Sequence, residues 1–66
     1  MKVRINGRQE EVGGALNIAE LLAEKKLSCE RVVVEHNMRI VPKDEMRSVL
    51  LSSDDSLEIV TFVGGG

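Results

Sequence analysis

The end of the chain carries its most suggestive chemistry, because an alternating apolar run leads straight into Gly64, Gly65 and Gly66. A carboxylate is a poor electrophile, and sulfur can attack it only after ATP has converted it to an acyl-adenylate. Glycine has no Cβ, so such a tail fits a narrow channel in a partner's ATP site and leaves the carbonyl unhindered. We therefore predict that the Gly66 carboxylate is activated as an adenylate and that Gly64 and Gly65 thread into the partner. An inert flexible end is the alternative.

Two further side chains have reactive potential, and we interpret both as structural. Cys29 lies beside Glu30 with no cation or metal to activate its thiolate, so a persulfide role is not favoured. His36 shares the strand parity of Val32 and Val34, which predicts a partly buried strand-end residue rather than a base. A single Cys and a single His leave no set of four zinc ligands. We expect no catalytic residues, no metal and no cofactor.

Length and composition favour a single small domain over residues 1–66 with a flexible glycine tail. A chain of this size buries only about 60% of its unfolded surface, which leaves little room for a catalytic cleft, so we do not expect an enzyme. The net charge of −2 argues against nucleic-acid binding. No apolar run approaches the roughly 20 residues that cross a bilayer, and the N-terminus lacks a signal-peptide core. With one unpaired cysteine, these features predict a cytoplasmic protein without membrane contact.

Alternating apolar residues and turn signals predict most of the chain as short strands. Asn6-Gly7 is a strong hairpin signal, because both positions tolerate a positive φ. Pro42 lacks a backbone N–H and so bars the short strand before it from a central position in the sheet. The predicted strands span residues 2–6, 9–12, 31–36, 40–41 and 57–63.

One helix is predicted between the second and third strands. Asn17 can cap its N-terminus, and Glu20 three residues later completes a capping box. The apolar stripe of this helix consists of Ile18, Leu21, Leu22 and Leu27. Residues 42–51 are expected to be irregular with a helical turn. The order predicts an α+β fold with one sheet covered by one main helix. It resembles the β-grasp (ubiquitin-like) fold, which implies a mixed sheet of four to five strands.

The last predicted strand has two apolar faces. Leu57 and Ile59 share one face, whereas Val60 and Phe62 share the other with Val33. If the helix covers the first face, the second is an apolar patch in solvent that would suit partner docking. The alternative is a small second cluster under residues 42–51. The sequence favours neither.

The whole chain resembles the ThiS family, the sulfur carriers of thiamine biosynthesis. The matching stretches are Asn6-Gly7, Ala19-Glu20-Leu21-Leu22, Val32-Val33-Val34-Glu35, Ile40-Val41-Pro42, Asp55 to Val60, and Phe62 to Gly66. Two turn positions depart from the family's pattern, since Met38 follows Asn37 where glycine is frequent and Asp54-Asp55 replaces Gly-Asp.

The resemblance implies a cycle of activation and sulfur transfer. A ubiquitin-activating-type enzyme would adenylate Gly66, and sulfur from a cysteine desulfurase or related donor would replace the adenylate to give a thiocarboxylate. Thiazole synthase would then take that sulfur to build the thiazole ring of thiamine. If Val33, Val60 and Phe62 are exposed, we predict that they form the docking patch for these partners.

Three rival functions stay open at this point. The nearest is a carrier of another pathway, of the molybdopterin synthase small-subunit type. The second is a non-conjugating ubiquitin-like interaction domain with an inert tail. The third is an RNA-binding β-grasp appendage, which the acidic balance disfavours.

Overall fold

The computed structural model describes residues 1–14 and 16–62. Within these residues, a β-hairpin is followed by a helix, a second hairpin, a short 3-10 turn and a last strand. The elements are β1 (Lys2–Ile5), β2 (Arg8–Glu11), α1 (Ile18–Glu24), β3 (Val32–His36), β4 (Arg39–Val41), the 3-10 turn (Lys43–Glu45) and β5 (Ser56–Thr61). Each predicted element is present, with strand ends that differ from the prediction by one or two residues. The helix ends at Glu24, so Leu27 does not belong to its apolar stripe as predicted but packs against the core from the loop that follows.

The strands form one mixed sheet in the order β2-β1-β5-β3-β4. The C-terminal strand β5 lies in the centre of the sheet, parallel to β1 and antiparallel to β3. The short β4 before Pro42 is an edge strand, as the missing N–H of proline requires. The predicted fold class, an α+β β-grasp domain with one main helix, is therefore confirmed.

The capping box predicted at the start of α1 is formed in full. The Glu20 backbone N–H donates to Asn17 Oδ1 at 2.8 Å, and the Asn17 N–H donates to Glu20 Oε1 at 2.9 Å. These bonds satisfy two donors that a helix N-terminus otherwise leaves unpaired. They fix where the helix starts, and hence which of its faces meets the sheet.

One face of the sheet packs on α1 and on the segment that follows the 3-10 turn. Backbone bonds tie the two covering pieces together, from Ala19 N to Met46 O at 3.1 Å and from Leu51 N to Leu16 O at 2.8 Å. The buried core consists of Val3, Ile5, Val12, Ile18, Leu21, Leu22, Val32, Val34, Val41, Met46, Leu51, Leu57 and Ile59. The other face of the sheet carries no helix in the described part of the chain, so it is open to solvent.

Both hairpins turn through two residues with positive φ, the geometry that the twist of paired strands favours. The first uses Asn6 at 52° and Gly7 at 82°, and the second uses Asn37 at 50° and Met38 at 73°. Glycine adopts this conformation without a steric penalty, whereas methionine incurs one because of its Cβ. Met38 is 92% exposed, so no burial within the described chain offsets its strain.

We expect Met38→Gly to stabilise the fold by about 0.5–1 kcal/mol, because relief of the left-handed backbone exceeds the added freedom of the unfolded chain. Urea denaturation should show a higher midpoint at an unchanged slope. Met38→Ala is the control, since it removes the exposed side chain but keeps the Cβ. An equal gain in both variants would show that the backbone is not the source.

Candidate functional site

The chain leaves the domain from the end of the central strand. After β5, the Phe62 backbone N–H still donates to Arg31 O at 2.8 Å and holds this residue against the start of β3. The predicted site residues Gly64, Gly65 and Gly66 lie outside the described residues, as does Val63. The structure therefore shows where β5 ends, at the end of the sheet where β1 also ends and β3 begins.

Asn6 holds the central strand just before that point. Its side-chain Oδ1 accepts from the Ile59 N–H at 2.7 Å, and its Nδ2 donates to the Ile59 carbonyl at 3.2 Å. The side chain thus continues the β1–β5 ladder where the backbone of β1 turns away into the hairpin. Sequence reasoning assigned Asn6 to the end of the first strand and to the turn, and it missed this second role because Ile59 is 53 positions away.

The predicted docking residues lie on the open face of the sheet. Val60 and Phe62 are each 58% exposed, and Val33 pairs with Val60 across the strands and is half-buried. They do not pack under residues 42–51, because Met46 and Leu51 from that segment enter the main core instead. Of the two arrangements that the sequence left open, the structure shows the exposed apolar patch. Its role in docking stays a prediction.

A cluster of polar side chains joins the second hairpin to the turn before β5. His36 Nε2 lies 2.7 Å from Asp55 Oδ2, which also accepts from the Ser52 N–H at 2.9 Å. Asn37 Nδ2 donates to Asp55 Oδ1 at 3.2 Å, and Asn37 Oδ1 accepts from the Ser56 N–H at 2.8 Å. Burial raises the pKa of Asp55, but the hydrogen bonds from His36, Ser52 and Asn37 outweigh burial and hold that pKa below its usual value.

This cluster predicts an acid-sensitive contribution to stability. A carboxyl whose folded pKa is depressed stabilises the fold above its unfolded pKa of about 3.9, and this stabilisation is lost as the pH falls through the folded pKa. We expect Asp55→Asn to lower the free energy of unfolding at neutral pH by about 1–3 kcal/mol. The gap to wild type should shrink towards pH 2.

Urea denaturation at pH 7 and at low pH measures that gap. Asp44→Asn is the control, because Asp44 is exposed and belongs to the 3-10 turn rather than to the cluster. The prediction fails if the Asp55→Asn gap is the same at both pH values.

The two other residues considered for chemistry have structural contacts. Cys29 is half-buried and packs against the core. His36 is half-buried at the end of β3, as predicted, and its hydrogen-bond partners among the described residues are Asp55 and Asn37. Residues 1–14 and 16–62 contain no group of three or more His, Cys, Asp or Glu side chains placed to hold a metal ion. No helix in the same residues is long and apolar enough to cross a membrane.

Comparison with known proteins agrees with this architecture. The model of the ThiS family matches residues 3–66. A crystal structure of the thiamine biosynthesis protein ThiS from Geobacter metallireducens superposes with a TM-score of 0.84 at 32% identity, covering all of both chains. The sulfur carrier protein ThiS of Bacillus subtilis is 45% identical over 49 residues, which are 74% of each chain.

A thiazole synthase from Paramagnetospirillum magneticum is 39% identical over 66 residues, which cover all of this chain but 20% of the relative. The chain thus spans about a fifth of the length of the thiazole synthase relatives that it matches.

A central last strand, one covering helix and an open sheet face define a domain of the ubiquitin-like β-grasp class. The chain belongs to the ThiS family.

Proposed function

We propose that the chain carries sulfur as a thiocarboxylate on Gly66 and donates it for thiazole formation. In the first step the Gly66 carboxylate attacks the α-phosphorus of ATP and releases pyrophosphate. Sulfur at the sulfide level then attacks the carbonyl carbon of the acyl-adenylate, AMP leaves, and a thiocarboxylate results. When the donor is a persulfide, its terminal sulfur forms an acyl disulfide with loss of AMP, and a thiol then reduces the S–S bond to release the thiocarboxylate. Gly64 and Gly65 lie within the partner's channel during both steps, where the lack of a Cβ lets the backbone pass.

The observation that carries this proposal is the family match, which extends through residue 66 and so includes all three glycines. The fold supports it, since β5 is anchored on one side by β3 and on the other by Asn6 up to the point where the tail departs. A rigid base beside a glycine segment is what a carrier needs in order to present its carboxylate at a distance from its own surface.

Three partners follow from this cycle. A ubiquitin-activating-type adenylating enzyme supplies ATP chemistry, a cysteine desulfurase or related donor supplies sulfur, and thiazole synthase receives it. The similarity to proteins named thiazole synthase supports the last partnership, because a carrier-like segment occurs there within the acceptor's own chain. The patch of Val33, Val60 and Phe62 is the proposed docking surface. Since the cycle needs neither nucleic acid nor lipid, we place it in the cytoplasm.

The test is ATP–pyrophosphate exchange with a ThiS-activating enzyme. The 66-residue chain should support exchange that depends on its concentration, whereas the same chain with its C-terminus amidated should not. The rival carrier of the molybdopterin type predicts exchange with an activating enzyme of that pathway instead. An inert interaction domain predicts exchange with neither.

A further inference from the structure

Two glutamates face each other on the open side of the sheet. Glu35 of β3 is the direct cross-strand partner of Glu58 of β5, and both side chains are exposed. Opposed side chains in an antiparallel pair have Cβ atoms about 4.5–5.5 Å apart, and like charges in this arrangement destabilise the sheet. Neither glutamate belongs to an ion pair in the described part of the chain.

Apolar side chains surround this carboxylate pair on the same face. The next cross-strand pair is Val33 with Val60, and Ile40 of the edge strand lies directly opposite Glu35. Ile40 is 66% exposed. A partner that covers these apolar groups must also exclude water from the two carboxylates, which strengthens any charge interaction there. A partner without a cation would instead leave two desolvated charges unpaired, which is strongly unfavourable.

Arg4, a basic residue on this face, forms no ion pair with Glu35 or Glu58 in the described part of the chain. Arg4 of β1 is the strand partner of Ser56, two positions from Glu58. Its guanidinium donates to Gly7 O at 3.4 Å, within its own hairpin. The open face therefore combines exposed apolar area with negative charge that the described chain does not neutralise.

We propose that Glu35 and Glu58 together receive a lysine or arginine side chain of the adenylating enzyme, between apolar contacts to Val60 and Ile40. The inference rests on the proposed function and deepens it by naming the partner's chemistry. The carboxylate pair is a specificity determinant, because it admits a basic surface and rejects a neutral or acidic one.

The position of the pair favours the adenylating enzyme as the occupant. Gly66 follows Phe62 by four positions, a reach of about 13–14 Å for an extended chain. The surface that docks beside Phe62 must therefore lie close to the ATP site. Cationic side chains are concentrated at sites that bind phosphate groups, so a basic docking surface is expected there.

In the double variant Glu35→Gln/Glu58→Gln, we expect stability to increase and binding to the adenylating enzyme to weaken, so the two effects can be told apart. Loss of like-charge repulsion should raise the melting temperature, whereas loss of the cation's partners should raise KM in ATP–pyrophosphate exchange about tenfold or more. We expect little change in kcat, because the tail and its carboxylate are unaltered. The KM of wild type should rise with salt more steeply than that of the variant.

Glu24→Gln/Glu45→Gln is the matched control, with the same change in net charge at exposed positions away from the open face. It should keep the wild-type KM. Glu58→Lys extends the test, because it creates an opposite-charge pair with Glu35 and should be more stable than wild type but a still poorer substrate.

The inference is overturned if the Glu35→Gln/Glu58→Gln variant keeps the wild-type KM, or if its KM rises no more than that of the control. A variant that is less stable than wild type would show a structural role and would also overturn it. The same holds if only sulfur transfer to thiazole synthase is impaired. Failure of wild type itself to be adenylated by any activating enzyme would instead refute the proposed function.

Discussion

Removal of Gly66, or addition of one residue after it, should abolish adenylation while leaving the fold unchanged. Shortening or lengthening an extended chain by one residue moves its end by about 3.3–3.6 Å. A misplacement of only about 1 Å can cost a hundredfold in rate. An added residue also turns the reactive carboxylate into an internal amide, which cannot be adenylated. We therefore expect a loss of more than about a hundredfold in kcat/KM for either variant.

Stability gives the control for this experiment. The terminal glycines have no side chain to bury, so either variant should change the free energy of unfolding by no more than about 0.5 kcal/mol. Circular dichroism on the same preparations measures this change. If the extended chain were adenylated as well as wild type without prior trimming, the interaction domain with an inert tail would be the better account.

Replacement of Phe62 by Asp should weaken binding to the adenylating enzyme by about thirtyfold, or about 2 kcal/mol. Phe62 is 58% exposed on the open face, so its ring is available to a partner and contributes little to the core. An acid is the informative replacement, because the inferred basic surface would not repel it. Any loss of affinity then reports the lost apolar packing. The free energy of unfolding should fall by less than about 1 kcal/mol.

Two variants of the same strand complete this test by calorimetric titration and thermal melts. Thr61→Asp places the same charge next to Phe62 but on the opposite face of the sheet, at a position that is also exposed. This variant should bind the adenylating enzyme as wild type does. Ile59→Asp places it in the core, where Ile59 is 8% exposed, and should unfold the domain. A large fall in melting temperature for Phe62→Asp with unchanged affinity would show that Phe62 serves the fold and not the partner.

Local signals in the sequence predicted the elements of this fold. Asn17 and Glu20 marked the start of α1 because a capping box acts within four residues, and Asn6-Gly7 marked the first hairpin for the same reason. Pro42 correctly restricted β4 to an edge. In each case, the physical cause lies between neighbours in the chain.

The features that sequence reasoning missed depend on which strands pair. The contact of Asp55 with His36 joins two turns 19 positions apart, and no local pattern announces it. Glu35 and Glu58 look like ordinary surface residues until the register of β3 with β5 sets them opposite each other. The exposure of the open face likewise could not be predicted locally, because it depends on α1 and the segment that carries Met46 covering the same side of the sheet.

The central claim is that sulfur resides on the C-terminal carboxylate, and mass spectrometry of the chain after co-expression with an activating enzyme and a desulfurase tests it most directly. We predict a gain in mass equal to sulfur replacing oxygen, located on the C-terminal peptide that ends in Gly66. A Cys29→Ser variant should be loaded to the same extent. Sulfur found on the Cys29 peptide, with none on the C-terminal peptide, would contradict the account.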